Sequence, residues 1–281
     1  MKSVRLRLTV ALLVGVFAAA AAAAPAPRPS ADRFNERAAF AFLKRQVAFG
    51  PRPAGSAPSR KLAAILRASV PNGRYQAVPG GLRNVIGTVR GRDPSRVVVV
   101  GAHYDTYDLP GFVGANDSAS GTAVVRQLAR TIKPRTVRPT LVFIFFDGEE
   151  APPASDNFSR DGLRGSTVAA RVYKHAEAMI LLDFVGDRKL AIPREAQSNR
   201  RLWARLRAAA GRVGAARSFP AGTGPHVVDD HVPFLQAGVP AIDLIDFDFP
   251  CWHRRCDNLS AVSVRSVDAV GETMIEFLRS L

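Results

Sequence analysis

A chain of 281 residues, 47% hydrophobic and 22% charged, is long enough to bury a full core and too apolar to stay unfolded. Its formal charge of +15 would suit a nucleic-acid binder, yet the arginines are spread singly along helical stretches such as "QSNRRLWARLRAAAGRVG" and are not gathered with aromatics. No nucleic-acid partner is expected; an exported surface drawn to anionic envelope polymers accounts for the charge.

Residues 1–24 read as a secretory signal peptide, with a basic start at Lys2, Arg5 and Arg7, an apolar run from Leu8, and a run of small alanines for cleavage. A retained membrane anchor is the alternative, for which the stretch is short and alanine-heavy. No later segment is apolar enough to span a bilayer, so a secreted or periplasmic protein without a stable span is expected. A Pro/Ala linker, 25–31, leads into one domain over 32–281.

That domain opens with helical apolar spacing in "ADRFNERAAFAFLKRQVAFG", where Phe34, Ala38, Phe42 and Val47 fall near one face. A turn, "GPRPAGS", precedes a serine-capped helix in "SAPSRKLAAILRASV". Strand patterns follow at "GRYQAV", "LRNVIGTV" and "RVVVVGAHYD", the last apolar on both faces like a central strand covered from two sides. Then come a helix in "DSASGTAVVRQLARTI", a strand in "TLVFIFFDG", a helix in "GLRGSTVAARVYKHA" and a strand in "AEAMILLDFVG". A helix in "SNRRLWARLRAAAGRV", a last strand in "VPAIDLID" and a closing helix complete the chain. Alternating strands and helices predict an α/β layer sandwich.

The polar residues of interest cluster at predicted strand ends, where open α/β sheets place their sites: His103, Asp105, Glu149, Glu150 and Asp183. Each has an ordinary reading alone. His103 suits a satisfied core histidine, Asp117 a helix N-cap, Asp183 a turn former, and His253 an exposed loop residue. Convergence of so many carboxylates is stable only around cations. Imidazole and carboxylate ligands without thiolates suit zinc. Adjacent residues at a strand end point apart, so one glutamate of "FFDGEEAP" can bind metal while the other carries protons.

With these stretches assembled, the chain resembles the zinc aminopeptidase and glutaminyl cyclase superfamily, metallopeptidase family twenty-eight. The matching motifs are "FGPRPAGS", "NVIGTVRG", "GAHYDT", "GANDSASG", "FFDGEE", "GLRGS", "LLDFVG", "DDHVPFLQAGVPAIDLI" and "WHRRCDN". The resemblance implies a three-layer α/β/α sandwich with a mixed, mostly parallel sheet. It implies a first zinc on Asp117, Glu150 and His253 and a possible second on His103 and Asp183, with Asp117 bridging. Glu149 would be the general acid/base, with Asp183 and Asp229 in the catalytic network, and Asp105 would orient His103 from behind. His231 is expected to be structural, and His175 and His226 to be surface residues.

Both branches of the superfamily share this cage. Toward the cyclase point "FFDGEEA", the long stretch before "GLRGS", "DDHVPFLQAGVP", and Trp252 before His253, a flat wall for a glutamine side chain or else a packing residue. Toward the aminopeptidase point "HYDT" and "NDSASG", and the tryptophan that vertebrate-type cyclases carry after the doubled glutamate is absent, leaving Phe158 as its candidate substitute. A glutaminyl-peptide cyclotransferase is the leading expectation, with a secreted aminopeptidase as the alternative and an inactive envelope-binding module third. Peptides with a free N-terminus are the expected partners, and a monomer the expected state. Cys251 and Cys256 bracket His253 and are read as a disulfide, with thiolate ligation as the alternative.

Overall fold

A computed structural model describes residues 29–281. The expected signal peptide, and the linker up to residue 28, lie outside the described residues. Helices α1 (Glu36–Val47) and α2 (Ala57–Ser69) precede strands β1 (Arg74–Val78), β2 (Leu82–Val89) and β3 (Asp93–His103). Helix α3 (Ala119–Thr131), β4 (Pro139–Phe146), the short α4 (Phe158–Asp161), α5 (Arg164–Val172) and β5 (Ala178–Asp183) follow. The chain ends with α6 (Arg200–Arg212), the short α7 (Val232–Gln236), β6 (Ala241–Ile245) and α8 (Val264–Ser280). Every element read from the sequence is present; α4 and α7 are too short to leave a periodic pattern.

Caps explain several boundaries. Ser56 accepts a hydrogen bond from the Ser59 amide and starts α2, and Asn199 accepts from Arg201 and Leu202 to start α6. The buried stripe of α1 runs through Ala39, Phe42, Leu43 and Gln46. This shifts the expected stripe by one position, because Ala38 and Val47 are only half-buried.

The six strands lie in the order β1-β2-β4-β3-β5-β6. Pairs β1–β2 and β2–β4 are antiparallel, and β4–β3, β3–β5 and β5–β6 are parallel, so the sheet is mixed and mostly parallel. Side chains alternate between its two faces. Val98, Val100, Ala102, Phe143, Phe145, Ile180 and Leu182 pack into one core with α1, α3, α6 and α8. Val99, Ile144, Phe146, Met179 and Leu181 face the other way, against Ala169 and Ala170 of α5 and Phe234 of α7. Strands buried on both faces explain the unbroken apolar runs. The product is the expected three-layer α/β/α sandwich.

The connections fix where a site can form. From β3 the chain crosses by α3 to β4 on one side, then by α5 to β5 on the other. That reversal opens a crevice at the carboxyl ends of β3, β4 and β5, where α/β sheets bind ligands. Helix α3 sits very close to the sheet, since a Cβ on Gly121 would lie 2.0 Å from the Leu182 carbonyl oxygen. Its N-terminus is thereby pressed against the crevice.

Candidate metal centre and its cavity

His103 is the last residue of β3 and Asp183 the last of the adjacent β5. Asp117 lies two residues before α3, which comes down between them. His103 Nε2 is 3.3 Å from both Asp117 Oδ1 and Asp183 Oδ1. Across the crevice, Gly148 at φ +74° turns the chain after β4 and delivers Glu149 and Glu150. The left-handed conformation asks for glycine there. His253 Nε2 lies 3.3 Å from Glu150 Oε2 and 3.6 Å from Asp117 Oδ2. Two sets of ligand-type atoms therefore form, His103/Asp117/Asp183 and Asp117/Glu150/His253, each within 4.8 Å and sharing Asp117.

The paired glutamates diverge. Glu150 turns to His253, whereas Glu149 lies outside both sets, with Oε2 3.9 Å from His103 Nδ1, and lines the cavity. Asp105 explains how adjacent carboxylates are held. Its two oxygens accept the amides of Glu149 and Glu150 at 3.3 and 3.2 Å. The expectation that Asp105 braces His103 is only loosely met, since Asp105 Oδ1 stands 3.7 Å from Nδ1, beyond hydrogen-bond length. Its carboxylate is directed mainly to the glutamate backbone.

All these acids are buried, and burial dominates their chemistry. Burial, reinforced by Asp117, pushes the Glu150 carboxyl up to about 7 against the opposing pull of His253 and His103. Burial carries Asp183 to about 8 although His103 opposes it. Glu149 is driven well above the usual range by burial and by Glu150. His103 goes the other way from a lone buried imidazole. Desolvation works to lower it, but Asp183, Asp105 and Asp117 together hold it well above its ordinary value. Asp117 Oδ2, Glu150 Oε1 and His103 Nδ1 are buried with no hydrogen-bond partner among the described residues. Either retained protons or a cation must compensate such a cluster. Carboxylate oxygens and imidazole nitrogens, without thiolate, fit a divalent metal ion.

A cavity of about 320 Å³ opens onto these groups. Asp229 is buried and lines it beside Glu149, and so do Trp252 and Phe158. Trp252 is 47% exposed, so it is not a core packing residue. Phe184 and Phe247, stacked at 6.1 Å, extend the aromatic wall; in sequence they look like ordinary strand-end hydrophobics. Exposed His226 reaches the rim, His175 stays on the surface, and His231 is fully buried between Glu195 (3.4 Å) and Asp243 (3.6 Å), consistent with a structural role. Cys251 and Cys256 form a disulfide with Cα atoms 5.4 Å apart, which excludes thiolate ligation.

Two supporting residues, Arg52 in "FGPRPAGS" and Asp257 in "WHRRCDN", lie in matching motifs that assign them no role. Asp257 accepts the amides of Asn116 (2.7 Å) and Asp117 (3.0 Å), and so ties the His253 loop to the shared carboxylate. Arg52, fully buried, donates to the carbonyls of Gln46, Gly50, Val113 and Gly114. Its guanidinium pKa falls to about 10 through burial, with Asp257, Asp117 and Asp105 partly restoring it. An arginine in a turn motif gives no hint that it will be buried.

The chain resembles glutaminyl-peptide cyclotransferases and also a Zn-dependent exopeptidase. It is 28% identical over 218 residues to a glutaminyl-peptide cyclotransferase of Drosophila melanogaster, a match covering 66% of this chain and 61% of that one. The chain thus spans about three fifths of the length of such curated relatives. Among solved structures, a glutaminyl cyclase of Porphyromonas gingivalis superposes with a TM-score of 0.78 at 30% identity, covering 89% of this chain and 99% of that one. A Zn-dependent exopeptidase of Parabacteroides distasonis superposes with a TM-score of 0.79 at 26% identity, covering 90% and 100%. Residues 84–278 match the model of peptidase family M28, a span that begins on β2, takes in both candidate ligand sets and ends on α8: the chain belongs to peptidase family M28.

Proposed function

We propose that this protein is a zinc-dependent enzyme acting on peptide N-termini, and that it cyclises N-terminal glutamine to pyroglutamate with release of ammonia. The observation that carries this reading is the divergence of the paired glutamates, Glu150 joined to Asp117 and His253 and Glu149 left free at the cavity wall. Asp117, Glu150 and His253 would hold zinc. Bound there, it would supply the positive charge that polarises a carbonyl oxygen of the substrate. As the α-amine nitrogen bonds to the carbonyl carbon (Cδ) of the glutamine side-chain amide, Glu149 takes a proton from that nitrogen. It then gives the proton to the amide nitrogen, which leaves as ammonia while the C–N bond breaks. Asp183 and Asp229, both buried near Glu149, would hold the amine and its protons. The aromatic wall of Trp252, Phe158, Phe184 and Phe247 suits a small flat amide and excludes water from it.

A specific observation favours a second reading. His103, Asp117 and Asp183 form a second ligand set, and two metals sharing Asp117 would suit hydrolysis of the first peptide bond with Glu149 as base. In either reading residues 32–281 form one catalytic domain, exported by way of the 1–24 signal as a monomer, and the disulfide suits an oxidising compartment. Ammonia release from a Gln-initiated peptide, measured beside hydrolysis of an aminoacyl anilide, separates the two. Ammonia release without anilide cleavage is expected, and activity on the anilide alone overturns the cyclase reading.

A further inference from the structure

A histidine that binds metal is normally aimed by a hydrogen bond to its other ring nitrogen. His103 has a carboxylate, Asp105, facing its Nδ1, though at 3.7 Å it stands beyond hydrogen-bond length. His253 is built differently. Among the described residues, its polar side-chain contacts run through Nε2, to Asp117 and Glu150. Its ring is held by its faces instead. Tyr107 lies parallel to it, with centroids 4.2 Å apart and planes 6° from parallel. The buried ring of Phe112 meets it edge-on at 6.0 Å. Trp252 contacts it at 4.9 Å with the planes tilted by 38°.

The need for such support is visible in the backbone. His253 sits at φ +50°, a conformation that costs a residue with a Cβ, in a loop that is only partly buried. The loop bearing Tyr107 is fastened to the His253 loop from both ends. Arg255 donates from Nε to the Pro110 carbonyl at 2.9 Å, and the Asp257 carboxylate accepts the Asn116 and Asp117 amides. Tyr107 is half-buried and does not line the catalytic cavity. Its position matches no reacting atom.

We infer that Tyr107 is a positioning residue, whose ring fixes the rotation of the His253 imidazole by parallel stacking and so keeps Nε2 aimed at the centre shared with Asp117 and Glu150. The inference rests on His253 as a metal ligand. Stacking costs the tyrosine little, because its ring has two torsions to order and a large apolar face to bury. The phenol hydroxyl has no part in this role, so phenylalanine should replace tyrosine and an aliphatic residue should not.

The test is zinc affinity, measured by competition against a chromophoric chelator, for the full chain and for Tyr107→Leu, Tyr107→Phe and His253→Ala. Loss of a ligand-orienting partner typically weakens metal binding about 10–100-fold. Tyr107→Leu is expected to fall in that range and Tyr107→Phe to stay within about threefold of the parent. Wild-type affinity in Tyr107→Leu overturns the inference, and so does a loss in Tyr107→Phe equal to that in Tyr107→Leu. If Tyr107→Leu fails to fold, Tyr107→Trp takes its place; retained affinity supports stacking, and a loss of tenfold or more overturns it. Undiminished affinity in His253→Ala would instead remove the ligand assignment on which the inference stands.

Discussion

Glu149 and Glu150 are neighbours in sequence with different fates, and the difference is set by what each carboxylate faces. Glu150 meets an imidazole and the shared Asp117, so its removal should empty the centre. Glu149 faces the cavity, with His103 at a distance and other acids nearby. Glu149→Gln should therefore leave metal content unchanged and lower turnover at least about 100-fold, the usual range for a positioned acid/base. Metal analysis beside single-turnover kinetics checks both halves, and surviving turnover would return Glu149 to a structural role. Away from the centre, Asp246 makes a separable prediction. Burial raises its carboxyl from 3.8 to about 7, against an opposing hydrogen bond from the Ala191 amide. Between those values the folded chain keeps a proton that the unfolded chain has released, so stability falls as pH rises from about 4 to about 7. Asp246→Asn keeps an acceptor for Ala191 and removes that loss; it should gain up to about 4 kcal/mol at pH 8 and little at pH 4, read by urea titration. Residue identity was legible in the sequence wherever chemistry demanded a rare group in a rare place, as at His103 or the doubled glutamate. It was not legible at Tyr107 or Arg52, whose partners include residues far away along the chain, His253 for the first and Val113 and Gly114 for the second.

The elements were readable because strands covered on both faces leave unbroken apolar runs and helices leave serine or asparagine at their starts. The pairing order was not, since nothing in the pattern of β3, β4 and β5 says that β4 and β5 flank β3 on opposite sides. That order makes the crevice, and α3 is the element that carries Asp117 into it. Gly121→Ala should push α3 off the sheet, because the new methyl would meet the Leu182 carbonyl. A loss of about 1–3 kcal/mol is expected from overpacking, together with weaker metal binding as Asp117 moves. A variant with parental melting temperature and affinity would show that the helix can shift without cost to the site. The Cys251–Cys256 bond belongs to the same scale. A loop this short offers roughly 2 kcal/mol through chain entropy, yet it encloses His253. Cys251→Ser with Cys256→Ser should therefore cost more in zinc affinity than in unfolding free energy, when the two losses are compared in the same units.

At the scale of the whole molecule the protein carries a surplus of surface cations around a core of buried acids. Asp105, Asp117, Glu149, Glu150, Asp183, Asp229, Asp230 and Asp243 are all buried, and the basic side chains buried with them are few, chiefly Arg52 and the imidazole of His103. Asp230 and Asp243 are pushed well above the usual carboxyl range, by burial first and then by their acidic neighbours. Such an interior holds together in one of two ways, by keeping protons or by taking up a cation, and the two differ in their response to pH. Without metal, Glu150 and Asp183 keep protons up to about 7 and about 8, which the unfolded chain releases near 4. The metal-free fold therefore weakens as pH climbs through that window. A metal ion held by Asp117, Glu150 and His253 would require the Glu150 carboxylate ionised and would release its proton on binding, so affinity should rise over the same range. The stability gap between zinc-loaded and chelated protein should thus be small at pH 5 and widen toward pH 8, reaching about 4 kcal/mol when free zinc is near a thousand times its dissociation constant. Paired denaturant titrations at the two pH values, with buffered zinc or with chelator, measure it directly. A gap that is absent, or that narrows as pH rises, would mean that protons and not a metal ion balance the acids of this crevice.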